Sequence, residues 1–316
     1  MVHLFLKQKL LPFNRFMLKI AYHPIYKHSL PLGHRFPMGK YELLYQQLLY
    51  EGTCNHDNFF EPEVPNNKYF FMVHDPEYVT DLMNITLDQK MARRIGFPLS
   101  EVLIEREMVI ADGTMKSSEY ALEHGIAMNI AGGTHHAYTN KGEGFCLLND
   151  QAIGARYLQE KGLVQKILIV DLDVHQGNGT AEIFQNDDSV FTFSMHGKKN
   201  YPFQKENSDL DIPLETGTTD SEYLSILKQI LPKLIAEEEP DFIYYLSGVD
   251  VIESDKLGKL SLTMEGCKER DRFVLQTCKD LNIPVMCSMG GGYSPDIKTI
   301  VEAHANTFRL AQEIFF

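Results

Sequence analysis

Lys166-Ile167-Leu168-Ile169-Val170 runs directly into Asp171-Leu172-Asp173-Val174-His175-Gln176-Gly177-Asn178-Gly179. The first five residues form an almost continuous apolar, β-rich run. Such runs suit strands buried on both faces, as in a parallel sheet covered by helices. Val190-Phe191-Thr192-Phe193, Phe242-Ile243-Tyr244-Tyr245-Leu246 and Val285-Met286-Cys287-Ser288-Met289 read the same way, and Met17-Leu18-Lys19-Ile20-Ala21-Tyr22 begins a first strand. Helical signals lie between them. Asp75-Pro76-Glu77 offers a cap and a first-turn proline before Tyr78, Val79, Leu82 and Met83. Leu224, Leu227, Leu231 and Leu234 form one stripe, and the segment from Asp150 to Lys161 stops at Gly162. The alternation predicts an α/β fold, a single-domain parallel sheet sandwiched by helices.

Open parallel sheets bind ligands beyond the carboxyl ends of their strands. Four predicted strands end in chemically loaded loops. Ala127-Met128-Asn129-Ile130 leads to Gly132-Gly133-Thr134-His135-His136-Ala137, and Ile167 to Val170 leads to Asp171, Asp173 and His175. Phe242 to Leu246 leads to Asp250, and Val285 to Met289 leads to Gly290-Gly291-Gly292-Tyr293. A parallel sheet brings all four loops to one edge. In an extended segment residues i, i+2 and i+4 point the same way, so Asp171, Asp173 and His175 share one face while Leu172 and Val174 face the core. Asp173 and His175 can then hold one metal, with Asp250 a candidate third ligand and a position left for water. That donor set suits Zn²⁺, with Fe²⁺ an alternative. Taken singly, each motif has a bland reading: a strand-end Asp often caps a helix, and paired histidines can be core residues. Their combination with a glycine-rich tyrosine loop favours a metal hydrolase.

Composition sets outer bounds. The 316 residues, 44% hydrophobic and 23% charged, are those of an ordinary globular chain. No stretch approaches the ~18 to 20 apolar residues of a membrane span. A net charge of −13 argues against a nucleic-acid surface. It either steers cationic substrates or simply maintains solubility. Cys54, Cys146, Cys267, Cys278 and Cys287 contain no Cys-x-x-Cys pair, which reads as buried thiols in a reducing, cytoplasmic compartment. Residues 1–16 are apolar and basic, but Lys7, Lys9 and Pro12 interrupt them and no small-residue cleavage site follows. They are expected to form an extension before a catalytic domain spanning 17–316.

From about Met17 onward the chain resembles the zinc-dependent histone deacetylase superfamily, with its arginase/deacetylase fold. The likeness rests on Gly33-His34-Arg35-Phe36-Pro37-Met38, Gly132 to Ala137, Gly144-Phe145-Cys146-Leu147-Leu148-Asn149-Asp150, Asp171 to Gly179 and Gly290 to Tyr293. Arg93-Arg94-Ile95-Gly96-Phe97-Pro98 and Ser247-Gly248-Val249-Asp250 look most like the class IV and bacterial branch. The resemblance implies Asp173, His175 and Asp250 as zinc ligands, His135 and His136 as proton-transfer residues, and Tyr293 as the hydroxyl polarising the substrate carbonyl. It implies that Asp171 orients His135 and that Asn178, where many relatives carry Asp, orients His136. Asp171 with Ser194 resembles a monovalent-cation (K⁺) site. Gly144, Phe145 and Gly291 resemble substrate-channel residues, Phe203 an opposite wall, and Arg35 an arginine near the acetate exit.

The implied reaction is hydrolysis of N-acyl-lysine on proteins or peptides, acetyl or longer, sensitive to hydroxamates. Alternatives are deacylation of small amines such as acetylpolyamines and a non-catalytic acyl-lysine-binding relative. A two-metal ureohydrolase would need an Asp-x-His-x-Asp pattern that is absent. Loops 85–100 and 197–210, which would shape the channel, are the least transferable, and the first shows no acidic residue suited to holding a peptide backbone. Acyl length and oligomeric state are not fixed by the sequence.

Overall fold

The computed structural model describes residues 17–316; the expected extension at 1–16 lies outside the described residues. Eight strands form one sheet: β1 Lys19–Ala21, β2 Phe59–Phe60, β3 Ile126–Asn129, β4 Ile167–Asp171, β5 Val190–Gly197, β6 Leu210–Leu214, β7 Phe242–Leu246 and β8 Val285–Ser288. Their order is β2-β1-β3-β8-β7-β4-β5-β6, with every pairing parallel. The early helices are α1 Lys40–Tyr50, α2 Lys68–Phe71, α3 Pro76–Asn84, α4 Gln89–Ile95 and α5 Glu101–His124. The later ones are α6 Asp150–Glu160, α7 Asn178–Phe184, α8 Asp220–Glu238, α9 Met264–Leu281 and α10 Ile297–Phe315.

The four strands with loaded loops, β3, β8, β7 and β4, are consecutive neighbours at the centre of the sheet. All their residues are buried, as apolar runs covered on both faces require. Two adjacent tyrosines of β7 show both layers. Side chains alternate across a strand. The Tyr244 hydroxyl meets Ser118 of α5 at 2.8 Å, while the Tyr245 hydroxyl donates to Asp271 of α9. β2 and β6 escape the sequence reading because they are edge strands. β2 has two residues, and β6 is half-exposed and carries Pro213, which an edge tolerates. Within the 85–100 loop the structure places a helix, α4, capped by the Asp88 carboxylate on the Met91 amide at 2.7 Å.

Arg270 of α9 is fully buried and ties the centre together. It donates to the carbonyls of Leu172 (3.0 Å) and Gly248 (2.6 Å), just after β4 and β7, and pairs with Asp271 at 2.8 Å. Asp271 also accepts from Thr307 at 2.7 Å. Removing one partner of such a network leaves the other charge buried and bare, typically costing ~3–5 kcal/mol. Arg270→Met is therefore expected to lower the unfolding free energy by about that amount in a urea titration. A change below ~1 kcal/mol would show that the network is not needed there.

Candidate active site

β4 ends at Asp171, and the chain then bends rather than remaining extended to His175 as the sequence reading assumed. The physical reason is local hydrogen bonding. The Asp173 amide donates to the Asp171 carboxylate at 3.1 Å and the His175 amide to the Asp173 carboxylate at 2.9 Å, an Asx-type turn. The turn separates the carboxylates. Asp171 goes to His135, while Asp173 and His175 come together with Asp250.

Asp173, His175 and Asp250 are buried, and one potential ligand atom from each lies within 4.8 Å of the others. The His175 Nδ1 stands 3.0 Å from Asp173 Oδ1 and 3.1 Å from Asp250 Oδ2. Backbone amides fix the remaining oxygens: Gly291 donates to Asp173 Oδ2 at 2.8 Å and Val174 to Asp250 Oδ1 at 2.9 Å. Two buried carboxylates this close repel one another. Burial and then Asp173 push the Asp250 carboxyl up to about 7. A bound cation would remove that cost, so the donor set fits a divalent metal with one imidazole and two carboxylates. Gly291 is required by the same crowding, because a Cβ there would lie 2.0 Å from Asp250 Oδ2.

The imidazoles of His135 and His136 lie side by side, 4.1 Å between ring centres. Their outer nitrogens have different partners. His135 Nδ1 faces the Asp171 carboxylate at 2.7 Å, and His136 Nδ1 faces the Asn178 amide oxygen at 2.6 Å. Asn178 is itself oriented, since its NH₂ donates to the Tyr138 hydroxyl (2.9 Å) and to Glu143 (2.8 Å). Burial lowers both imidazoles. For His135 the Asp171 charge outweighs it and the net shift is upward, whereas His136 falls well below the ordinary value through burial, His135 and His175. Asn178→Asp would put a second carboxylate against an imidazole. The expected result is a shift of the acidic limb of the kcat/KM profile to higher pH, because His136 would then stay protonated over a wider range. An unmoved limb would separate His136 from that limb.

Tyr293 follows the glycine turn after β8. Its amide donates to Asp255 at 2.6 Å, and its ring lies 6.3 Å from that of His175 and 6.2 Å from that of Phe145. Burial, then Asp250 and Asp173, drive the phenol well above its usual value, so it remains a donor. Gly144 and Phe145 both have positive φ, +58° and +70°, and their amides are held by the carbonyls of Arg94 (3.0 Å) and Ile95 (2.7 Å). A side chain at Gly144 would put its Cβ 2.6 Å from the His136 ring. Backbone held in this region at a pocket wall is strain maintained by its surroundings.

Some expected placements shift. Arg35 lies at the exposed outer rim with its guanidinium 4.9 Å above the Phe145 ring, not at an inner exit. The inner chamber is lined instead by Tyr41, Arg106 and Ile110. Lys40, missed by sequence reasoning, is buried and donates to the Gly290 carbonyl at 3.0 Å. Its ammonium is pushed down to about 8, by burial against the pull of Asp250 and Asp173. Phe203, 87% exposed, does line the mouth of the pocket, while the aromatic packed edge-on against His136 deeper in is Tyr201, 5.1 Å away. Ser194 is the register partner of Asp171, but its hydroxyl pairs with His196 Nδ1 at 3.0 Å. All five cysteines are free and buried. Among the described residues no helix is long and apolar enough to cross a membrane.

A parallel α/β sheet whose central strands end in a buried Asp–His–Asp group beside two oriented histidines is the build of a metal-supported hydrolase. The chain belongs to the histone deacetylase family: the histone deacetylase domain model matches residues 34–308. It is 46% identical to an uncharacterized protein of Picosynechococcus sp. over 94% of this chain and 99% of that one. Histone deacetylase 2 of Arabidopsis thaliana is 27% identical, over 82% of this chain and 70% of its own length. A crystal structure of the HDA15 HD domain superposes with a TM-score of 0.79 at 20% identity, covering 94% of this chain and 88% of that one. Membership supports a hydrolase that acts as a deacetylase, in a family that is generally metal-dependent.

Proposed function

We propose that the chain is a zinc-dependent deacylase of N-acyl-lysine on proteins or peptides, with Asp173, His175 and Asp250 holding the ion. The observation that carries the reading is that Asp173 and His175 of that buried triplet line one pocket with the His135–His136 pair and Tyr293. Zn²⁺ fits the two-oxygen, one-nitrogen set, and Fe²⁺ is the competing ion. When bound, the ion supplies Lewis acidity at the amide carbonyl.

The protein's own groups supply the rest. His136, backed by a neutral amide, is free to take a proton from the attacking water and return it to the leaving amine. His135, backed by Asp171, holds positive charge beside the developing anion. The Tyr293 hydroxyl donates to the substrate oxygen as it gains charge. The Gly144 carbonyl receives the substrate amide N–H, while Phe145 and Tyr201 form apolar walls for a methylene chain. Asp171 with Ser194 is the proposed K⁺ position, next to the base of His135. The test is a panel of acetyl-lysine peptides, longer acyl-lysine peptides and acetylated polyamines compared by kcat/KM. Peptide substrates are expected to lead; turnover confined to polyamines would replace this reading with the small-amine one.

A further inference from the structure

The mouth of the pocket carries a charge opposite to that of the chain. Its lining includes Arg35, Arg94, Lys199 and Lys259 and no aspartate or glutamate, although the chain as a whole has 43 acidic and 30 basic residues. All four cations are exposed. None forms an ion pair with a carboxylate among the described residues, whereas Lys198, the neighbour of Lys199, pairs with Glu215 at 2.6 Å. Lys259 reaches only the Lys199 carbonyl, at 2.8 Å, and Arg35 rests on the Phe145 ring. Glu143, next in the chain to the channel residue Gly144, is already engaged by Asn178 and Tyr201.

The four cations also come from four separate stretches: the loop before α1, helix α4, the turn after β5 and the loop before α9. A single small anion needs convergent donors around one point. Cations spread round a rim match several negative charges distributed along a segment. The floor of the pocket faces the acyl group, so the rim meets whatever carries the acylated amine.

We propose that the carrier is acidic: this enzyme acts on acyl-lysine flanked by aspartate and glutamate, rather than on basic tails or polyamines. The proposal rests on the deacylase reading. It also runs against one of the two readings of the net charge, that cationic substrates are steered inward, because the rim, not the remote surface, sets the potential within a Debye length of ~10 Å.

Three fluorescent acetyl-lysine peptides of equal length, with acidic, neutral or basic flanks, test it. Binding to the intact protein is read by anisotropy before appreciable turnover, and hydrolysis is then followed in the same samples. At ~0.1 M salt, where the screening length is ~10 Å, the acidic peptide is expected to bind ~10-fold or more tighter than the basic one. The ratio should shrink toward unity at ~1 M salt, where the screening length is ~3 Å. It should also shrink in the combined variant Arg35→Gln, Arg94→Gln, Lys199→Gln, Lys259→Gln. Equal or tighter binding of the basic peptide at ~0.1 M salt overturns the proposal. Hydrolysis answers separately: acidic-selective binding with no cleavage of any peptide would retain the acidic-rim assignment and overturn the deacylase reading beneath it.

Discussion

Asp250→Asn is expected to lose its transition metal and to cut kcat/KM on an acetyl-lysine peptide by ~10³-fold or more, since a Lewis acid contributes several kcal/mol to such a step. The change removes one charge but leaves a side-chain oxygen to accept from the Val174 amide, which Asp250 now holds at 2.9 Å. Folding should therefore survive. In the metal-free state the variant should even match or exceed the wild type in melting temperature, because burial and then the Asp173 charge already raise the Asp250 carboxyl to about 7. Elemental analysis, a melting curve and a progress curve check the three parts. A variant that hydrolyses at the wild-type rate would remove Asp250 from the ligand set.

Tyr293→Phe is expected to lower kcat ~10²–10³-fold with KM little changed, the usual cost of deleting one oxyanion donor. The phenylalanine ring can keep the packing against Phe36 (6.0 Å), Phe145 and His175, so the loss should come from the hydroxyl alone. Metal content should stay as in the wild type. If KM rose while kcat held, Tyr293 would be a binding wall, and its place in the catalytic step would fall.

Much of this site is legible in the sequence because the chemistry sits where strands stop. Apolar runs locate β3, β4, β7 and β8, and their adjacency in the sheet brings His135, Asp173, Asp250 and Tyr293 to one edge. What the sequence hides is how local turns redirect side chains. The bend after Asp171 sends that carboxylate to His135 and the next one to His175 and Asp250, a division that straight alternation would not produce.

Residues that act from far along the chain are also hidden. Lys40 reaches Gly290, and Arg270 clamps the carbonyls after β4 and β7, yet each reads locally as an ordinary charged residue on a helix. Asn178 can be singled out from the resemblance, but its support by Tyr138 and Glu143 cannot. Tyr201 and Phe203 are two residues apart in a loop with no periodic signal, so only the fold separates the aromatic against His136 from the exposed one.

The most direct test is to strip the purified protein with a chelator, confirm the loss of metal, and titrate Zn²⁺ back while following hydrolysis of an acetyl-lysine peptide. Fe²⁺ is titrated in parallel without oxygen. Activity is expected to vanish with the metal and to return linearly, reaching its plateau at about one ion per chain. Undiminished hydrolysis by metal-free protein, or a plateau that requires two ions per chain, would contradict the single Asp173–His175–Asp250 centre.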